Sequence, residues 1–189
     1  MDKFIKTSNE TSVLDIPEVG GKNASLGEMA TTLASKGIRI PDGFSVTVSA
    51  FKHFINYNKL DIKLQEVINT LDKQEFTNLA QTGADSRKLI MSGAMPADLQ
   101  AAIINAYKEL FRGIKLPVAV RSSATAEDLP QASFAGQHES YLNILGEGTA
   151  GFNQNMEALK HNFLFKRYFK NLEKSRKDTI RPNKSSVER

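Results

Sequence analysis

Two apolar runs of strand length, Leu116-Pro117-Val118-Ala119-Val120 and Tyr141-Leu142-Asn143-Ile144-Leu145, enclose a segment of small, hydroxylated and charged residues that fits neither a helical nor an alternating period. This arrangement constrains the fold more than any other part of the chain. The first run reads as a short buried strand and the second as its counterpart after an irregular loop. Arg121 leaves the first strand directly, followed by Ser122-Ser123-Ala124-Thr125-Ala126-Glu127-Asp128. An arginine held by a strand can present its planar fork to phosphate oxygens in a fixed geometry, with Ser122, Ser123 and Thr125 offering hydroxyl donors beside it. It can equally pair with Glu127 or Asp128 while the hydroxyls cap a loop, and spacing alone leaves both readings open.

Further along the same segment, Ala132-Ser133-Phe134-Ala135-Gly136-Gln137-His138-Glu139-Ser140 combines small residues and a glycine around one phenylalanine. Such a flap can lay its backbone along a polyphosphate with Phe134 as a latch, or form an ordinary hairpin with Phe134 in the core. His138 has no second ligand or nucleophile near it in sequence and reads as structural.

A second phosphate-type feature stands at the other end of the chain. Gly20-Gly21-Lys22-Asn23 falls where a helix begins, and the spacing of Leu26, Met29, Ala30 and Leu33 predicts that helix over 22–36, stopped by Gly37 and Pro41. Paired glycines let the backbone turn tightly, amides at a helix start attract anions, and Lys22 adds a mobile charge. It is not a Walker loop, which requires Gly where Ile16 stands and Ser or Thr where Asn23 stands. On its own the motif is also what a plain turn with a surface lysine looks like.

Between these features the chain reads as mostly helical. Pro41-Asp42-Gly43 is a turn and Phe44 to Val48 a half-buried strand. Helices are expected over about 49–58, about 61–92 with a break near Leu71 to Glu75, and about 96–112 with Pro96 in the first turn and Leu99, Ile103, Ala106 and Leu110 on one face. Residues 1–150 are expected to form one unit, 151–174 a basic amphipathic helix and 175–189 a disordered tail.

Composition narrows the function classes. The 189 residues are 40% hydrophobic and 24% charged, ordinary for a globular protein. Cysteine is absent, which excludes a disulfide framework and thiolate metal sites. No stretch has the length of a signal peptide's apolar core or the roughly 20 apolar residues of a membrane span, so a cytoplasmic protein without membrane attachment is expected. The net charge of +4 is confined to one end: from Glu157 onward ten Lys or Arg face four Asp or Glu, while the rest of the chain holds 15 against 17. Nucleic-acid binding by the body of the protein thereby loses its support, and only the tail could serve an acidic partner.

Taken together, Val19-Gly-Gly-Lys-Asn-Ala-Ser-Leu-Gly-Glu-Met29, Ile40-Pro-Asp-Gly-Phe44 and Val118-Ala-Val-Arg-Ser-Ser-Ala-Thr-Ala-Glu-Asp-Leu-Pro-Gln-Ala-Ser-Phe-Ala-Gly-Gln137 resemble, in order and spacing, the N-terminal nucleotide-binding domain of the phosphoenolpyruvate synthase (pyruvate, water dikinase) family. The resemblance spans about residues 12–146. Pyruvate phosphate dikinase and rifampicin phosphotransferase share this domain, but Gly21 to Met29 and the stretch Leu79-Ala-Gln-Thr-Gly-Ala84 look more like the synthase.

The resemblance implies an α+β fold, the N-terminal part of a dikinase-type ATP-grasp domain, helix-rich with a small mixed sheet. It implies that Lys22 and Arg121 bind ATP phosphates, that Gly136 and Gln137 lie in the loop over the triphosphate, and that Ser140 is nearby. In the family, ATP phosphorylates a histidine on a swivelling domain, and the phosphoryl group passes to pyruvate in a further domain with Mg2+, giving AMP, phosphoenolpyruvate and phosphate. None of His53, His138 and His161 stands in a matching motif, so no catalytic or metal-binding residue is assigned to this chain. The second half of the ATP-grasp, with its magnesium ligands, is expected to lie beyond this sequence, leaving an apolar face for association and little activity in the chain alone. A non-catalytic binding module is the alternative.

Overall fold

A computed structural model describes residues 4–112, 114, 116–121, 123, 128–129, 132–133 and 140–145. It is helix-rich with small sheets, as the α+β expectation holds. In order, β1 (Ile5–Thr7) is followed by two 3-10 turns (Ser8–Glu10 and Val13–Asp15), α1 (Ile16–Val19), α2 (Gly21–Ala34), β2 (Phe44–Val46), α3 (Val48–Tyr57), α4 (Leu60–Asn69), α5 (Leu79–Ser92) and α6 (Ala97–Phe111). Then come β3 (Pro117–Arg121), β4 (Asp128–Leu129), β5 (Ala132–Ser133) and β6 (Ser140–Leu145). The strands form three antiparallel pairs, β1 with β2, β3 with β6 and β4 with β5, so among the described residues the mixed sheet is replaced by two-stranded ribbons.

Helices α3 to α6 build the core. In α3 the Thr47 hydroxyl accepts the Ala50 amide at 3.3 Å, satisfying one open donor of the first turn. Ala50, Phe51, Phe54 and Ile55 then recur on one face and are buried. Leu60, Leu64 and Ile68 of α4, Ile90 of α5 and Leu99 and Ile103 of α6 close over them, with Phe4 from the start of the chain. Asn58 ties α3 to the turn before α6, donating from Nδ2 to the Phe54 and Ala94 carbonyls and accepting the Ala94 amide at 2.7 Å.

The break expected near Leu71 to Glu75 is a side-chain knot. Asp72 Oδ1 accepts the Gln74 and Glu75 amides and Oδ2 accepts the Thr77 hydroxyl at 2.8 Å, while Asn78 accepts the Asp72 amide and donates to the Thr70 carbonyl. Local side-chain bonds of this kind draw the backbone out of a helix. Among the described residues no helix is long and apolar enough to cross a membrane.

Three expectations are corrected. The buried residues of α2 are Ala24 and Gly27, whereas Leu26, Ala30 and Leu33 are half-buried and Met29 is exposed. Small residues replace the apolar stripe because this helix approaches the Thr11 backbone too closely for larger ones. The face of α6 is completed by Tyr107, whose hydroxyl donates to the Leu116 carbonyl at 2.7 Å, rather than by Ala106 and Leu110. Finally, β3 is not a buried strand: Val118 and Val120 are half-buried while Pro117, Ala119 and Arg121 are exposed, the pattern of a ribbon with one covered face.

Candidate functional site

The two phosphate-type motifs, a hundred residues apart, meet at Gly20 and Ser123. Asp15 opens α1, and the four residues of that helix deliver the chain to Gly20. Lys6 of β1 holds this approach by donating to Asp15 Oδ1, and Asp15 Oδ2 accepts the Ser12 amide at 2.8 Å. The Lys6 ammonium, followed by the Ser12 amide, keeps the Asp15 carboxyl below the usual carboxylate range.

At Gly20 the backbone turns with φ 83° and ψ 162°, a region essentially reserved for glycine. A Cβ there would lie 2.4 Å from Ser123 Oγ and 2.6 Å from the Ser123 carbonyl carbon and oxygen. Ser123 is 3% exposed, and its hydroxyl accepts the Asn23 amide at 3.2 Å. Glycine is therefore required twice over, by conformation and by the approach of a second backbone.

This contact organises the charged residues around it. Lys22 is adjacent to Asn23 and exposed; Arg121 is two residues before Ser123, at the end of β3, and also exposed. Arg121 is the register partner of Ser140 on β6, so two residues expected in the site face one another across the ribbon. The register slips between Val118 and Val120, and such a bulge re-aims the side chains beyond it. Lys22, Arg121 and Ser140 are thus brought to elements joined by one hydrogen-bonded contact and one strand pair. Gly136 and Gln137, like Ser122, Thr125, Phe134 and His138, lie outside the described residues.

Two features differ from the simple picture of a helix start with open amides. The Asn23 amide, one of the open donors of the first turn, is taken by Ser123. Ser123 also faces inward instead of standing beside Arg121 as a donor to a ligand. No group of three His, Asp or Glu residues that could hold a metal occurs among the described residues.

The stretch of chain that holds both motifs falls within a known family. The chain matches the family model described as "Pyruvate phosphate dikinase, AMP/ATP-binding domain" over residues 16–161. It is 47% identical over 141 residues to a phosphoenolpyruvate synthase of Aquifex aeolicus, covering 73% of this chain and 16% of that protein. Against the phosphoenolpyruvate synthase of Pseudomonas aeruginosa it is 44% identical over 147 residues, covering 77% and 19%. Against that of Escherichia coli it is 41% identical over 156 residues, covering 82% and 19%. The chain therefore spans less than a fifth of the length of these relatives. By the extent of the family match, it belongs to the pyruvate phosphate dikinase AMP/ATP-binding domain family.

Proposed function

We propose that this chain forms the phosphate-holding part of the ATP site of a phosphoenolpyruvate synthase, with residues 1–150 as the nucleotide-binding unit. The observation that carries this reading is the docking of the Gly20–Asn23 helix start on Ser123, which brings the Lys22 turn to the strand exit bearing Arg121. Phosphoryl transfer asks a protein mainly to position the phosphates and neutralise their charge. The Arg121 fork suits two oxygens of one phosphate, and Lys22 supplies a compact charge on a flexible stem. Gly136 and Gln137 would cover the triphosphate and Ser140 would add a hydroxyl opposite Arg121. Mg2+ would arrive with the nucleotide and offset its charge.

The activity of the whole enzyme, conversion of ATP, pyruvate and water to AMP, phosphoenolpyruvate and phosphate through a phosphohistidine in the cytoplasm, belongs to the same proposal. The acceptor histidine and the pyruvate site would be carried by further domains. Isothermal titration with MgATP tests the part assigned here. Weak binding is expected for the chain, and Lys22→Ala and Arg121→Ala should each weaken it about tenfold or more, the worth of one charge-assisted hydrogen bond. Absence of binding, or identical heats in all three proteins, would overturn the assignment.

A further inference from the structure

From the contact between the two motifs, we infer that Ser123 is a positioning residue of the nucleotide site, whose hydroxyl fixes the Lys22 turn relative to Arg121. The inference rests on the proposed nucleotide reading and adds a residue that touches no ligand. Three observations carry it. Ser123 is buried, although it stands in a polar stretch two residues after an exposed arginine. Its hydroxyl accepts the amide of Asn23, the residue next to Lys22, across a hundred residues of chain. Its carbonyl is packed against the α-carbon of Gly20, so the serine meets both the residue that caps α2 and the third residue of its first turn.

The physical consequence is a fixed spacing. Amides of a first helical turn need a partner, and this one is supplied by the segment that carries the second cation, where a neighbouring side chain or water would ordinarily serve. Removing the hydroxyl leaves both motifs intact in sequence but frees one to shift against the other. Loss of alignment between two groups that act on one ligand weakens binding without removing either group. Ser123 therefore acts through Lys22.

A double-mutant cycle reads this directly. MgATP affinity is measured by titration calorimetry for the unaltered chain, Ser123→Ala, Lys22→Ala and the double variant. Ser123→Ala is expected to weaken MgATP binding about tenfold, and to change it less than twofold when Lys22 is already alanine. Ile68→Val, a core truncation remote in sequence from both motifs, is expected to leave the affinity unchanged, which separates positioning from general destabilisation. Should Ser123→Ala fail to fold, Ser123→Cys, similar in size and a weaker acceptor, takes its place in the same cycle. Unaltered affinity in the serine variant, or an equal loss with and without Lys22, overturns the role of Ser123. If Lys22→Ala and Arg121→Ala bind as the unaltered chain does, the nucleotide reading itself falls.

Discussion

The α-carbon of Gly27 is so close to Thr11 that a Cβ at position 27 would lie 2.4 Å from the Thr11 carbonyl oxygen and 2.7 Å from the Thr11 Cβ. Thr11 is itself buried, and its hydroxyl donates to the Thr7 carbonyl at 2.7 Å. The packing of α2 on the segment after β1 is therefore backbone against backbone. Alanine is the better helix former by about 1 kcal/mol, and in an open helix Gly27→Ala would stabilise. Here the neighbour is backbone and cannot swing aside, so overpacking outweighs propensity and a net loss of about 1–3 kcal/mol is expected. Urea unfolding followed by circular dichroism measures it; a higher midpoint for the variant would show that the segment yields.

Gly20→Ala should be costlier, because strain and collision act together. The backbone conformation at Gly20 costs an L side chain about 1–3 kcal/mol by itself. The collision with Ser123 adds to that. We expect a lower urea midpoint than for Gly27→Ala, and loss of MgATP binding at temperatures where the variant is still folded. A variant as stable as the parent would show that the turn can open without penalty.

Much of this was legible in the amino-acid sequence, and the parts that were not share a cause. The positions of α3 to α6 follow from the 3.6-residue spacing of residues such as Leu99 and Ile103, and the break after α4 from the turn-forming residues around Asp72. The start of α2 follows from Gly20-Gly21-Lys22. By contrast, β1 is three residues, Ile5-Lys6-Thr7, too short to display an alternation. The buried face of α2 is not legible in the sequence because Ala24 and Gly27 carry no hydrophobic signal; they are inside because they are small. Tyr107 is hard to read as a core residue because its hydroxyl needs a partner, found at Leu116 beyond the end of the helix. At the candidate site, the residue types were readable and their junction was not: no local pattern reveals that the hydroxyl of Ser123 belongs to the amide of Asn23.

Acid should weaken the fold through a small set of carboxylates. Glu10, Asp15, Asp72 and Asp98 are each held below the ordinary carboxylate range, chiefly by side-chain hydrogen bonds from Thr7, Lys6, Thr77 and His53 respectively. A carboxyl whose pKa is lower in the folded chain binds protons more readily when unfolded. Its contribution is thus present above the unfolded value near 4 and lost as pH falls through the folded value. The melting temperature is expected to change little between about pH 7 and 5 on account of these groups and to fall below about pH 4. Asp72→Asn should lower the melting temperature at pH 7 and flatten the fall in acid, because the α4–α5 knot then no longer titrates. An acid slope identical to that of the parent would assign the effect to other groups.

A different kind of substitution should strengthen the fold. Helix α5 turns Thr82, Ser86 and Ile90 inward against the neighbouring helices. Ser86 is satisfied, its hydroxyl donating to the Thr82 carbonyl at 2.8 Å. Thr82 is 3% exposed, and its buried hydroxyl has no hydrogen-bond partner among the described residues. An unpaired buried hydroxyl has given up its water without replacement, at a cost of about 1–3 kcal/mol. Valine keeps the branched shape and the restricted rotamers of threonine and removes the polar atom. Thr82→Val is therefore expected to raise stability by about 1 kcal/mol, seen as a higher urea midpoint with an unchanged slope. Because Thr82 is a buried residue of α5 and not one of the residues that form the candidate site, MgATP affinity should not move. A destabilised variant would mean instead that the hydroxyl is satisfied in solution, with water reaching it between α5 and its neighbours.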